Sequence, residues 1–342
     1  MSKLFRGNAY LLIALGAILL YTPCYSQFKI DFGTTLGASN YLGDIGGTSK
    51  IGEGTSRNDF INDIQLRQTK FAAGFWYRYK VHPVISLKAN LMLIRIGGAD
   101  SLSGYLNRRG RNLHFRNDIY ELSIQGAYHF IDAKQINNRG WLKQSRGRLR
   151  LDFCSYAFIG GGFFYHNPKA KYLDKWYALQ PLGTEGQGRI EKADESGNMA
   201  VFEKYKRFQA NVLGGIGFYY TVKRYWRFGI EAGVRMTFTD YLDDISTRYA
   251  PGDVLNDGTE NGAYAEILSN RSQNAEELTG GLFSSENYGE TRLRGEPDNN
   301  DWYMFAVVTG GYVIRGKNTF YKAKYKKLSS AKRKQRKQRA KF

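Results

Sequence analysis

The chain has 342 residues, a formal net charge of +19 and a mean hydropathy of −0.49, enough for one large domain or two small ones. No apolar run of about 18 residues follows the N-terminus, which excludes a membrane-spanning helix in the mature chain but not a barrel, whose strands turn only half their residues to lipid. Tyrosine (25), phenylalanine (21) and glycine (39) are abundant, a mixture that favours pleated strands and tight turns over helices.

Residues 1–26 read as a secretory signal: Lys3 and Arg6 form the basic region, residues 10–21 (YLLIALGAILLY) the apolar region, and Cys24 and Ser26 the small residues before cleavage at Gln27. The rival is acylation of Cys24, which Pro23 fits poorly. With the leader removed, Cys154 is the one cysteine left, so an internal disulfide is ruled out.

Period-two alternation then recurs along the chain. The first strand, residues 28–39, puts Phe28, Ile30, Phe32, Thr34, Leu36 and Ala38 on one face. The second, 69–80, turns Phe71, Ala73, Phe75, Tyr77 and Tyr79 outward and Lys70, Gly74, Trp76 and Arg78 inward. The third, 84–96, sets Ile85, Leu87, Ala89, Leu91 and Leu93 against Ser86, Lys88 and Asn90; the fourth, 115–131, sets Tyr120, Leu122, Ile124, Tyr128 and Phe130 against Glu121, Ser123, Gln125 and His129. In the fifth, 149–166, Phe158 and Phe164 blur the alternation. A sixth follows at 206–220. In the seventh, beginning at Trp226, every even position to Phe238 is apolar, whereas Arg227, Glu231 and Arg235 stand at odd positions. The eighth is 302–315 (WYMFAVVTGGYVIR).

Eight such strands suffice to close a small antiparallel barrel. Connections after the first, third, fifth and seventh strands are long (the last, 239–301, the longest), and those after the second and sixth are very short. Outer-membrane barrels have short periplasmic turns and long external loops, so both termini are expected in the periplasm. Tyr77, Tyr79, Tyr128, Tyr220 and Tyr225 would form a girdle at the short-turn end, and Trp302 and Tyr303 one at the other. A soluble lipocalin-like barrel would alternate too. The organisation expected is therefore a signal peptide (1–26), an eight-stranded antiparallel transmembrane β-barrel with long outer loops (27–315), and a basic periplasmic tail (316–342).

That tail carries twelve Lys or Arg and no acid; charge blocks of this kind are commonly interaction tails. Lys322, Lys324, Lys326, Lys327, Lys332, Arg333, Lys334, Arg336, Lys337 and Arg339 are its candidate partner-binding residues. Nucleic acid, the usual partner of such a block, is not expected for an exported barrel.

No catalytic, cofactor or metal site announces itself. His82, His114, His129 and His166 lack metal-site spacing, and Asp240, Asp243 and Asp244 lack the spacing of a calcium loop. Arg78, Lys88, Glu121, Glu231 and Arg235 all fall on the expected lumen face. An eight-stranded barrel is just wide enough for side chains to fill, so these five are expected to pair with one another rather than line a pore.

Two segments carry a family resemblance: GASNYLGDIGG (37–47), closing the first strand, and TFTDYLDDIS (237–246), closing the seventh. With the eight-strand layout, the chain resembles the PorG-like outer-membrane proteins of the Bacteroidota type IX secretion system, over about residues 28–315. The resemblance implies a non-enzymatic component of protein secretion, associated in some bacteria with gliding motility. It also implies contact with a periplasmic ring of a PorK-like lipoprotein and its PorN-like partner, and no cofactor or small-molecule substrate. The family-motif positions are Tyr41, Gly43, Asp44, Asp240, Tyr241, Asp243 and Asp244, with Tyr41 and Tyr241 expected at the outer membrane interface and Asp44, Asp243 and Asp244 turning the chain. Two alternatives belong to other classes: a small porin or ligand-binding barrel, and a surface adhesin acting through 239–301.

Overall fold

The computed structural model describes residues 29–46, 66–82, 84–132, 153–193, 199–222, 225–289, 292–297 and 299–315. The expected leader, residues 223–224 of one short turn, residues 133–148 of the fourth connection and the basic tail with its ten candidate residues lie outside these.

Eight long strands, β1 (Lys29–Leu42), β2 (Lys70–His82), β3 (Ile85–Ala99), β4 (His114–Asp132), β5 (Phe153–Tyr165), β10 (Phe208–Val222), β11 (Trp226–Thr237) and β12 (Trp302–Arg315), form the wall. Each pairs antiparallel with its neighbour, and β1 pairs with both β2 and β12, so the ladder returns on itself as a closed eight-stranded barrel. Closure leaves none of these strands an unpaired edge, the requirement for backbone in lipid. The sequence periodicity specifies this wall: in β11 exposed and buried residues alternate from Trp226 to Glu231, because a strand sends successive side chains to opposite faces.

The outward face is apolar around the circumference. Leu36 (67% exposed), Phe75, Leu91, Ile124, Ile159 (69%), Ile216, Ile230 and Val308 all project from it. A water-soluble monomer rarely exposes a contiguous apolar surface beyond a few hundred Å², so this belt is the surface of a transmembrane barrel. No described helix is long and apolar enough to cross a membrane.

Several details differ from the sequence reading. Tyr303 is fully buried in the lumen, where its hydroxyl donates to Glu121 (2.8 Å), while Trp302 beside it faces out; alternation allows only one of the two to join a girdle. Lys70, at the end of β2, is exposed rather than inward. Phe158 and Phe164 of β5 face the lumen and are buried. Glycines opposite the lumen aromatics make the room: a Cβ on Gly215 would lie 2.6 Å from the Phe158 ring, and one on Gly217 2.3 Å from that of Tyr156.

The long connections are folded where described. Residues 166–207 contribute the hairpin β6 (Pro168–Tyr172) and β7 (Lys175–Ala178), which extends the sheet from β4, and a small ladder of β8 (Glu191–Ala193) with β9 (Met199–Val201). Helices α1 (Leu106–Arg111), α2 (Leu179–Leu182), α3 (Gly252–Leu255), α4 (Glu260–Ser269) and α5 (Ala275–Thr279) complete a cap over the long-loop end of the barrel. A small apolar cluster of Ala170, Leu179, Leu182, Leu255, Ala265 and Leu268 holds α2, α3 and α4 to β6.

Candidate functional site at the loop end and lumen

The five lumen charges meet inside the barrel, all at 4% exposure or less. Lys88 Nζ donates to both Glu231 oxygens (2.5 and 2.6 Å), and Arg78 Nη2 reaches Oε1 of the same carboxylate at 3.4 Å. Nearer the loop end, Arg235 Nε and Nη2 grip Glu121 at 2.9 and 3.0 Å, a two-point guanidinium–carboxylate pair. Two further charges join them: Asp31 of β1, paired with Arg227 of β11 and 3.8 Å from Arg78. Both stand on the polar faces of their strands, so alternation alone could have found them. Tyr156 donates to Glu231, and the Arg78 guanidinium lies 5.0 Å from the Trp76 ring centroid. His129 sits between Ser86 (2.8 Å) and Cys154 (3.2 Å) as part of the packed lumen. Charge pairs and aromatic rings occupy the space between the strands.

At the loop end the two motif segments come together. β12 pairs with both β1 and β11, with Trp302 opposite Leu42 on one side and Met236 on the other, so both motifs leave the wall beside the start of the last strand. They share a pattern, Tyr41-Leu42-Gly43-Asp44-Ile45 and Tyr241-Leu242-Asp243-Asp244-Ile245. Ile45, Leu242 and Ile245 plug the barrel mouth in one apolar cluster with Ile94, Ile96, Phe115 and Ile119. The Asp243 carboxylate accepts from the backbone N–H of Ile45 (3.2 Å) and of Ile245 (2.9 Å), tying one motif to the other. Asp301 accepts from the Tyr41 hydroxyl (2.5 Å) and the Leu242 N–H (2.9 Å). Asp44 accepts from the Glu296 N–H (2.8 Å), and Asp244 from Thr184 (2.5 Å) and Tyr205 (2.6 Å). Gly43 is required by closeness, since a Cβ there would lie 2.1 Å from both Asp301 Oδ1 and the Tyr41 hydroxyl.

The tyrosines depart from expectation. Tyr41 is buried in the mouth rather than at a membrane interface, because its hydroxyl closes the Asp301 link. Tyr241 is half-buried and stacked on Tyr205, with ring centroids 4.6 Å apart. Sequence reading missed Glu185, which accepts from the Ser246 and Thr247 amides and from Arg294 (3.2 Å). It also missed Arg111, whose guanidinium donates to Asp100 (2.7 Å), the Asp44 carbonyl (2.7 Å) and the Arg294 carbonyl (2.6 Å). The repeated Tyr-Leu-X-Asp-Ile was the available signal for the motif pairing; Glu185 and Arg111 lie in segments without periodicity.

The mouth therefore holds more carboxylates than cations, and their acidities respond. Burial, reinforced by Asp243, Asp44 and Glu185, pushes Asp240 up to about 9. Burial and the neighbouring Asp44 raise Asp243 to about 8, against the pull of the Tyr41 and Ile245 hydrogen bonds. Asp244 rises only to about 6, because Arg294, Thr184 and Tyr205 oppose its burial. Burial raises Asp301 and Asp44 as well. Among the described residues no group of His, Cys, Asp and Glu side chains has the arrangement of a metal site.

Residues 9–144, which contain the first motif, match a family model described as Domain of unknown function (DUF6089). The comparison with curated proteins finds no match. Among solved structures the chain is similar to Ail, the attachment invasion locus protein of Yersinia pestis, in complex with the heparin analogue sucrose octasulfate (8% identity, 84% of this chain and 100% of that chain, TM-score 0.32). It is also similar to the N-terminal β-barrel domain of Pseudomonas aeruginosa OprF (8%, 84% and 97%, 0.28) and to the outer membrane protein OprG of the same organism (9%, 85% and 96%, 0.29).

Proposed function

We propose that this chain is a non-enzymatic outer-membrane component of a type IX secretion machinery, a PorG-like barrel that anchors or contacts the periplasmic ring. The observation that carries the reading is the meeting of the two family-like motifs at one barrel mouth, where Asp243 ties Ile45 to Ile245. Segments this far apart in sequence and joined by buried side chains make a single built feature. The filled lumen supports a scaffold rather than a conduit, because the Lys88–Glu231 and Arg235–Glu121 pairs occupy its cross-section. In this reading the folded cap lies outside the cell and both termini lie in the periplasm. The basic tail and the short turns then engage a PorK-like lipoprotein and its PorN-like partner.

Crosslinking and co-purification from membranes test this, comparing the full chain with one ending at Arg315. Capture of a ring protein by the full chain and its loss on truncation is the expected outcome. Capture of no secretion component by either chain would leave the barrel without this role. The folded cap favours a second reading, an adhesin acting through 239–301; it predicts that deleting this segment abolishes surface binding while secretion continues.

A further inference from the structure

A polar cavity of about 500 Å³ opens beside the motif site. Among the described residues five arginines line it, Arg108, Arg111, Arg248, Arg292 and Arg294, against two acids, Asp44 and Glu296. Arg111 and Arg294 are committed to Asp100, Glu185 and Asp244, so they build the wall. Arg108 donates through Nη1 to the Gly46 carbonyl at 2.8 Å, which fixes its guanidinium at the rim. Arg248 and Arg292 are exposed and sit on a short backbone clasp: residue 248 bridges Leu293, and the Tyr249 N–H donates to the Arg292 carbonyl at 3.0 Å. Arg292 makes no ion pair among the described residues. Of the acids, Asp44 already accepts the Glu296 amide, and Glu296 is exposed.

We propose that this cavity binds a saccharide bearing an oxyanion, phosphate or carboxylate. Guanidinium forks match both anions, each offering parallel N–H donors to paired oxygens. The cavity falls within the range of roughly 300–1,000 Å³ typical of small-molecule sites, more space than a lone phosphate needs. The remaining wall is mixed: the exposed Asn107 and Asn287 set amides beside the arginines, with Asn287 Oδ1 already accepting from Ser284, and Leu293 and Tyr288 add an apolar side that the carbons of a sugar ring can cover. A neutral sugar would give the exposed Arg292 guanidinium no anionic partner, and a wholly apolar ligand would strip water from the Asn107 and Asn287 amides without replacing its hydrogen bonds. The occupant is therefore anionic at one end and hydroxylated at the other. The site stands on the cap and does not depend on the secretion role.

The test is calorimetric titration of the purified full chain in detergent micelles with glucose 6-phosphate, glucuronate, glucose and inorganic phosphate. Saturable binding of glucose 6-phosphate or glucuronate, about tenfold tighter than inorganic phosphate and absent for glucose, is the expected result. Which of the two binds more tightly identifies the anion. Arg292→Gln and Arg108→Gln should each weaken that binding by about tenfold; unchanged heat-modifiable migration shows that the barrel is intact, and Arg292 is exposed enough to be replaced without disturbing the fold. Absence of saturable binding by both sugar acids overturns the proposal. So does inorganic phosphate binding as tightly as they do, or wild-type affinity in both variants.

Discussion

The lumen and the cap bury polar groups to the same depth and solve the resulting problem in opposite ways. In the lumen Glu231 meets Lys88 and Arg78, Glu121 meets Arg235, and Asp31 meets Arg227. In the cap burial raises Asp240, Asp243 and Asp301, with Asp243 adding to the rise of both Asp240 and Asp301, and the nearby Arg294 and Arg111 are largely spent on Glu185, Asp244 and Asp100. Burying an unpaired charge is prohibitive, so a buried acid either finds a cation or keeps its proton. The lumen relies on pairing. In the cap Asp243 and Asp301 rely instead on backbone amides, a tyrosine hydroxyl and protonation. The second arrangement makes the cap an adjustable part of the molecule.

The largest expected effect comes from breaking a lumen pair. Glu231→Ala leaves Lys88 without its carboxylate and should destabilise the barrel by about 3–5 kcal/mol, measured by urea unfolding in lipid. A loss well under about 1 kcal/mol there would mean that water already fills the lumen and screens the charges.

The cap should respond to pH next. Folding raises Asp244, Asp243 and Asp240 from an ordinary 3.8 to about 6, 8 and 9, so the folded cap binds more protons than the unfolded one. This contribution to stability is full below about pH 3.8 and declines as pH rises through those values. Limited proteolysis within 247–295 should accelerate from pH 5 to pH 9, normalised to a reference peptide. Asp243→Asn should flatten that dependence. A pH-independent rate in the wild type would put these acids in contact with solvent.

Packing effects are smaller. Gly217→Ala places a methyl against the Tyr156 ring that Glu231 holds and should cost about 1–3 kcal/mol in unfolding. Gly310→Ala, with nothing within 4 Å of the new Cβ, should change stability by less than about 0.5 kcal/mol.

What the sequence made legible follows from the same physics. Alternation has a period of two in every wall strand, so Trp226, Phe228 and Ile230 announced their outward face and Arg227 and Glu231 their inward one. Phe158 and Phe164 obscured β5 because the rule is polar-in only on average; three glycines on the facing strands, Gly215, Gly217 and Gly233, let aromatic rings occupy the lumen. The Tyr303 position was readable from its register with Trp302. The cap was not readable. Its acids are buried by tertiary contact between residues 44, 185, 243 and 301, and no local pattern marks a carboxylate that will lose its water.

Paired and aromatic side chains close the lumen. Planar-bilayer recording of the purified full chain at neutral pH tests it directly. The wild type should give no regular conductance steps, with steps appearing when Glu231 and Glu121 are both replaced by alanine. Stable porin-like steps from the wild-type protein would contradict it.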